Sequence, residues 1–189
     1  MSKIETTDFR VWLLESIRNE CKKWANDLEW LEMERSLWAD TALRAIRHIA
    51  NGGALLLATD EQRTWFRHYA LSRFYYSGVR RPLLPIFPLN NMFPSDFNLQ
   101  ESNAIDIKNM LDIAYDKNYM FWYVGQTNNR IADLCLSKDH GLFWLMDEGI
   151  KGAFYLRGND EFLDYKLIEM LKLFEKAAYA CIIDQVVPE

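Results

Sequence analysis

Asn51-Gly52-Gly53-Ala54-Leu55-Leu56-Leu57-Ala58-Thr59-Asp60-Glu61-Gln62-Arg63 sets the class of the fold. The two glycines close whatever helix precedes them, because glycine enters the left-handed conformation at no steric cost. Five apolar residues follow without alternation, Ala54 to Ala58, which is the pattern of a strand covered on both faces. Thr59-Asp60 then offers a side-chain cap for a helix over 61–76. A buried strand entered from one helix and left into another belongs to a mainly parallel sheet with helices on both sides, a three-layer α/β/α arrangement.

Toward the amino terminus the pattern predicts two helices. Asp8 caps the first, in which Phe9, Leu13, Ile17, Cys21, Trp24 and Leu28 recur at helical spacing. The second covers 31–50, with Trp38, Ala42, Ala45, Ile46 and Ile49 on one face and Trp30, Met33 and Leu37 on another. Toward the carboxyl terminus, Leu83 to Phe87 is a second apolar run, and Pro85 inside it places that strand at a sheet edge. A long loop marked by Pro88, Asn90-Asn91 and Pro94 leads to a helix over 104–117 and then to a third strand, Tyr119 to Gly125.

The stretch 126–152 admits two readings. Either 128–137 is helical and 142–146 a strand, or 132–137 is the strand and 141–148 the helix. The first leaves only about six residues before the apolar run Ala153 to Leu156, whereas a parallel crossover takes a dozen or more. The second is preferred on that ground, although it leaves a short link after the third strand.

The last helix is read over 160–184. Its polar positions Lys166, Glu169, Lys172 and Lys176 make one narrow stripe, while Leu167, Leu171, Phe174 and most of their neighbours are apolar. A helix that is apolar around most of its circumference is buried on most sides. Such a segment implies a partner surface, most simply a second copy of the chain. Trp30, Met33, Leu37, Leu167, Leu171 and Phe174 are the candidate oligomer contacts.

Charge and chemistry exclude several functions. Asp and Glu outnumber Lys and Arg, 27 to 22, and the densest basic cluster, Arg80-Arg81, is two residues long. Binding to a phosphate backbone needs far more clustered cation, so no direct nucleic-acid contact is expected. Cys21, Cys135 and Cys181 form no C-x-x-C pair and are odd in number, which fits a reducing cytoplasm. No signal-peptide core follows Met1, and no apolar run is long enough for a membrane span. His48, His68 and His140 lack metal-ligand spacing, so no metal site is expected. Cys135 and His140 invite a nucleophile–base reading, but a buried apolar thiol is inert. Asp147, Glu148 and Asp184 have no partner motif for acid–base work.

In open parallel sheets, ligands bind beyond the carboxyl ends of the strands. After the first strand stands Thr59-Asp60-Glu61-Gln62-Arg63, with no glycine and two adjacent carboxylates, which would repel a phosphate. Gly125-Gln126-Thr127-Asn128-Asn129 offers a hydroxyl and amides, and reads as a turn or as a polar ligand loop. No catalytic or cofactor site is expected, and the work left to the chain is binding another protein.

Several segments stand out: Trp30-Leu31-Glu32-Met33-Glu34-Arg35-Ser36, Asn51 to Leu56, Trp65-Phe66, Arg81-Pro82-Leu83-Leu84, Met120-Phe121-Trp122 with Val124-Gly125, Leu136-Ser137-Lys138, and Asp164-Tyr165-Lys166-Leu167 with Lys172-Leu173-Phe174-Glu175. Together they resemble the HobA family of replication-initiation regulators of Helicobacter, Campylobacter and their relatives. The segments run in order along almost the whole chain. The family in turn is similar to the sugar isomerase (SIS) fold and to the enterobacterial DnaA-binding protein DiaA.

The resemblance implies one SIS-like domain over 1–189. It would have a five-stranded, mainly parallel sheet in the order 2-1-3-4-5 and assemble as a tetramer. It also speaks for the second reading of 126–152. SIS enzymes carry a Gly/Ser-rich sugar-phosphate loop where this chain has Thr59 to Arg63, so the scaffold would remain without the isomerase chemistry. What the family implies is a non-enzymatic adaptor that binds the N-terminal domain of the initiator DnaA and promotes its ordered assembly at the origin. By analogy with DiaA, Asp184, Gln185, Val186 and Val187 are candidate contacts, unless the two valines dock on their own or a neighbouring subunit. The alternative is a SIS-type phosphosugar enzyme or sensor using Thr127, Asn128 and Asn129.

Overall fold

A computed structural model describes residues 7–24, 29–76, 82–89, 101–183 and 186–187. Leu28, Arg80, Arg81, Asn90, Asn91, Pro94, Asp184 and Gln185, named above, lie outside the described residues, as do the side chains of Cys21 and Trp24. Helix α1 (Phe9–Trp24) starts where the Asp8 carboxylate accepts the backbone N–H groups of Arg10 (2.9 Å) and Val11 (3.2 Å). That satisfies two of the donors a helix start leaves unpaired. Phe9, Leu13 and Ile17 are buried, as their spacing predicts.

Helix α2 (Glu29–Ala50) runs antiparallel to α1: Arg10 pairs with Asp40, and two turns on Arg18 pairs with Glu32. Gly52 ends α2 with a φ of 80°, and Gly53 donates its N–H back to the His48 carbonyl at 2.9 Å.

Five parallel strands follow: β1 (Ala54–Thr59), β2 (Ile86–Pro88), β3 (Tyr119–Gly125), β4 (Gly141–Met146) and β5 (Phe154–Leu156). Their order in the sheet is β2-β1-β3-β4-β5, with β1 paired from Ala54↔Tyr119 to Thr59↔Val124 against β3. Every residue of β1, β3 and β4 is buried. Leu55, Leu57, Trp122 and Trp144 share one core layer with α1, α2, α3 (Thr64–Tyr76) and α6 (Leu163–Ile182). Leu56, Ala58, Phe121, Tyr123 and Phe143 share the other with α4 (Glu101–Ala114) and α5 (Arg130–Leu136). The three layers match the expected class, and β2 lies at the edge where Pro85 places it.

The preferred reading of 126–152 is overturned. Residues 130–136 are helix α5 and 141–146 are strand β4. The crossover rule failed because β5 is only three residues long and pairs with the far end of its neighbour, Trp144↔Phe154 to Met146↔Leu156. The chain therefore has to climb back only two residue steps, roughly 7 Å, and sideways by about one strand spacing. Reversals at Asp147 (φ 63°) and Gly152 (φ 85°) let the stretch 147–153 do this without a helix.

The last helix is shorter than expected at both ends, and its apolar circumference is covered by its own chain. Leu167, Leu171 and Phe174 are fully buried and cannot be oligomer contacts. Helices α1, α2 and α3 pack on α6, the Phe174 ring lies 5.0 Å from Trp122, and Arg73 on α3 binds the buried Glu175 at 2.6 Å. Nor do Val186 and Val187 prolong that helix. Their backbone runs parallel to Thr7-Asp8, in the register Thr7↔Val186 and Asp8↔Val187, so the carboxyl-terminal stretch is tied to the mouth of α1.

Candidate protein-binding surface

The chain leaves β1 toward β2 on one side and returns as β3 on the other, so the carboxyl ends of β1 and β3 are where such a sheet holds a ligand. Here that crevice is filled. The Asp60 carboxylate accepts the Arg63 backbone N–H (2.9 Å) and guanidinium (2.8 Å) and, from across the crevice, the Gln126 N–H (2.9 Å). Both partners of the ion pair are buried, Asp60 to 9% exposure and Arg63 to 6%. A Cβ on Gly125 would stand 2.6 Å from Asp60 Oδ2, so glycine is required there by the closeness of the carboxylate.

In the Gly125–Asn129 loop the Gln126 backbone and the Asn129 side chain are likewise engaged, while Thr127 is half-buried and Asn128 exposed. Tyr123 donates its hydroxyl to the Gln126 carbonyl at 2.5 Å. Asn129 Nδ2 donates to the same carbonyl (2.7 Å) and to the Tyr123 oxygen (2.8 Å), while its Oδ1 accepts the Ala132 N–H and caps α5. Burial pushes the Tyr123 phenol well above its ordinary range, so it acts as a neutral donor. These side chains hold the loop, and Asn129 has no amide proton aimed at an incoming sugar. The sequence shows the seed of this arrangement in Asp60 and Arg63, three residues apart. The stitch to Gln126 depends on strand register and is not visible there.

The remaining catalytic candidates are dispersed. Cys135 is fully buried and its thiol is pushed up by desolvation, whereas His140 is exposed, so the two form no dyad. Asp147 accepts the Gly158 N–H at 2.7 Å and shapes the β4–β5 turn. No group of side chains among the described residues could hold a metal ion, and no helix among them is long and apolar enough to cross a membrane.

A concavity among the described residues lies elsewhere, on the outer face of the α1–α2 hairpin. It is an open groove of about 550 Å³ lined by Arg10, Val11, Leu14, Arg18, Met33 and Ser36, among others. Arg10 bridges its upper end to Asp40 (2.5 Å) and Ser36 (3.3 Å), and Arg18 its lower end to Glu32 (2.6 Å). The Glu32 carboxyl is held below its usual range chiefly by the Arg18 hydrogen bond. Met33 is 85% and Val11 50% exposed. Of the other α2 candidates, Leu37 is exposed one turn beyond Met33, while Trp30 packs on Phe154 under the Lys166 ammonium. Sequence reasoning found Met33 but missed Val11 and Leu14, although both are apolar positions off the Phe9–Leu13–Ile17 stripe. Asp8, the cap of α1 that pairs with Val187, stands two residues before Arg10, so the two surface features adjoin.

The sequence profile of the HobA family, described as DNA replication regulator, matches residues 5–188. The chain belongs to the HobA family. The DNA replication regulator protein HobA of Helicobacter pylori (strain ATCC 700392 / 26695) is 34% identical over 184 residues, covering 95% of this chain and 98% of that protein. Among solved structures, a HobA–DnaA (domain I–II) complex from Helicobacter pylori aligns with a TM-score of 0.75 and 34% identity, over 96% of this chain and 99% of that one. A crystal structure of HobA from the same organism aligns with a TM-score of 0.73 and 32% identity, over the same shares of the two chains. HobA relatives thus share the fold from the α1–α2 hairpin to α6.

Proposed function

We propose that this HobA-family protein is a non-enzymatic cytoplasmic adaptor that binds the N-terminal region of DnaA and promotes its ordered oligomerisation at the replication origin. The observation that carries the reading is end-to-end similarity to a HobA solved in complex with DnaA domains I–II. A filled ligand crevice supports it, because a regulator that works by docking has no use for the phosphosugar site of its scaffold. The reading takes the chain as one domain that assembles as a homotetramer. Several identical docking surfaces on one body raise the effective concentration of bound DnaA domains with no new contact between them. DNA is left to DnaA, in keeping with the net charge of −5.

The carboxyl-terminal strand, with Val186 and Val187, remains the proposed docking segment together with Asp184 and Gln185. The test is capture of the DnaA N-terminal domain with stoichiometry by light scattering. Four domains per tetramer are expected, and replacing both valines by Ser should abolish capture while the oligomer persists. Failure of the wild-type chain to bind the domain would refute the function; unaltered binding by the double variant would refute the segment.

A further inference from the structure

We infer that the outer flank of α3, along Arg67, Leu71 and Tyr75, docks an acid-bearing helix of a partner protein, with the Arg67 guanidinium as anchor for its carboxylate. The inference rests on the adaptor reading, which supplies the partner: the DnaA N-terminal domain, given a contact apart from the carboxyl-terminal segment. Residues four apart stand in one row along a helix, so Arg67, Leu71 and Tyr75 form a ridge. Arg63, one turn earlier, is already paired with Asp60 inside the chain. Arg67 is not. It is half-buried, and among the described residues it has no hydrogen bond and no ion pair. Desolvation holds its guanidinium below the ordinary value, with no carboxylate to offset the loss of water. Arg73 on the same helix is desolvated too, yet Glu175 brings it above that value. A cation that loses water without gaining a partner is unfavourable, and an incoming carboxylate removes the penalty through a charge-assisted hydrogen bond.

The neighbouring sheet edge decides what form the partner takes. Leu55 donates its N–H to the Pro85 carbonyl at 2.8 Å and Leu89 donates to Leu57 at 2.9 Å, so residues 85 and 89 turn their backbone toward β1. By alternation Ile86 and Pro88 turn theirs outward. Those outward groups are closed. The Ile86 N–H bonds to the Leu84 carbonyl at 2.8 Å, the Ile86 carbonyl accepts the Tyr75 hydroxyl, and Pro88 has no N–H. An extended segment finds no outward N–H in β2 to pair with, so strand addition is blocked here. The flank can be read only through side chains. Its ridge of residues four apart fits the groove between the same rows of another helix. Tyr75, 38% exposed, and the half-buried Leu71 supply the apolar part of that contact.

The test measures the affinity of the DnaA N-terminal domain for wild type, Arg67→Leu and Arg67→Lys, with the urea midpoint and the particle mass by light scattering as controls. Arg67→Leu should fold at least as stably as wild type, because it removes an uncompensated charge. It should nevertheless bind the domain about 30-fold more weakly, and its binding should depend less on salt. Arg67→Lys should bind more tightly than Arg67→Leu, since it keeps the charge. Unchanged affinity in folded Arg67→Leu, or Arg67→Lys as weak as Arg67→Leu, overturns the inference and leaves the adaptor reading intact. If Arg67→Leu halves the particle mass, the flank belongs to a second copy and the inference falls. Failure of wild type to bind the domain overturns the adaptor reading, and the inference with it.

Discussion

Replacing Asp60 by Ala should be one of the most damaging single changes on the surface-facing end of the sheet. The carboxylate serves the Arg63 guanidinium at 2.8 Å, the Arg63 N–H at 2.9 Å and the Gln126 N–H at 2.9 Å, the first two of them buried and the third half-buried. Removing it leaves a cation that is 6% exposed with, among the described residues, the neutral Gln62 oxygen at 2.6 Å as its side-chain partner. Breaking a buried ion pair from one side costs about 3–5 kcal/mol; the Gln126 N–H also loses its acceptor, while the Arg63 N–H keeps the backbone carbonyl of residue 60 at 3.3 Å. With a urea slope of about 2.5 kcal/mol per molar, a loss of about 4 kcal/mol lowers the unfolding midpoint by about 1.6 M at an unchanged slope. Adding Arg63→Leu to Asp60→Ala should restore more than half of the loss, because the unpaired charge goes with it. A midpoint shift below about 0.4 M for the single variant, or no recovery in the double, would refute the view that this pair seals the crevice.

Gly125→Ala should destabilise by about 1–3 kcal/mol in the same urea assay, since its Cβ would stand 2.6 Å from Asp60 Oδ2 and 2.9 Å from the Tyr123 oxygen. In alkylation at neutral pH read by mass spectrometry, Cys181, its thiol pushed up to about 11 by burial, should react slowly, and fully buried Cys135, displaced further, only on unfolding. Labelling of native Cys135 at the rate of a free thiol would contradict this. His48 is displaced below its ordinary value by desolvation, so the unfolded chain takes up its proton first. Its contribution to stability is full above about pH 6.5 and is lost as pH falls through the lower folded value. The acid limb of stability against pH should therefore be shallower in His48→Gln.

The strands that lie in mid-sheet were legible because burial on both faces leaves an unbroken apolar run, as in Leu55-Leu56-Leu57 and Phe121-Trp122-Tyr123. β4 has the same signature in Leu142-Phe143-Trp144-Leu145, yet Ile131 to Leu136 competes with it in apolarity, and only the three-residue length of β5 decides between them. Helix α6 misled in a different way: its apolar circumference reflects three helices of its own chain, not a neighbour. The crevice was half legible. Asp60 and the missing glycines ruled out a phosphate, but the bond to Gln126 joins residues 66 apart and follows from the β1–β3 register. The groove could not be read from either helix alone, because it exists only where Val11 and Met33 flank the same interhelical line.

Thr7-Asp8 lies alongside Val186-Val187, so the stretch that enters α1 and the stretch that follows α6 are neighbours in space. An affinity tag or fluorescent protein fused ahead of Thr7 therefore emerges beside the stretch assigned to DnaA, and can block docking as effectively as one placed after Val187. Joining residue 187 to residue 7 through a short linker and opening the chain at a surface turn, by contrast, would move both new termini away from that stretch and leave it uncrowded.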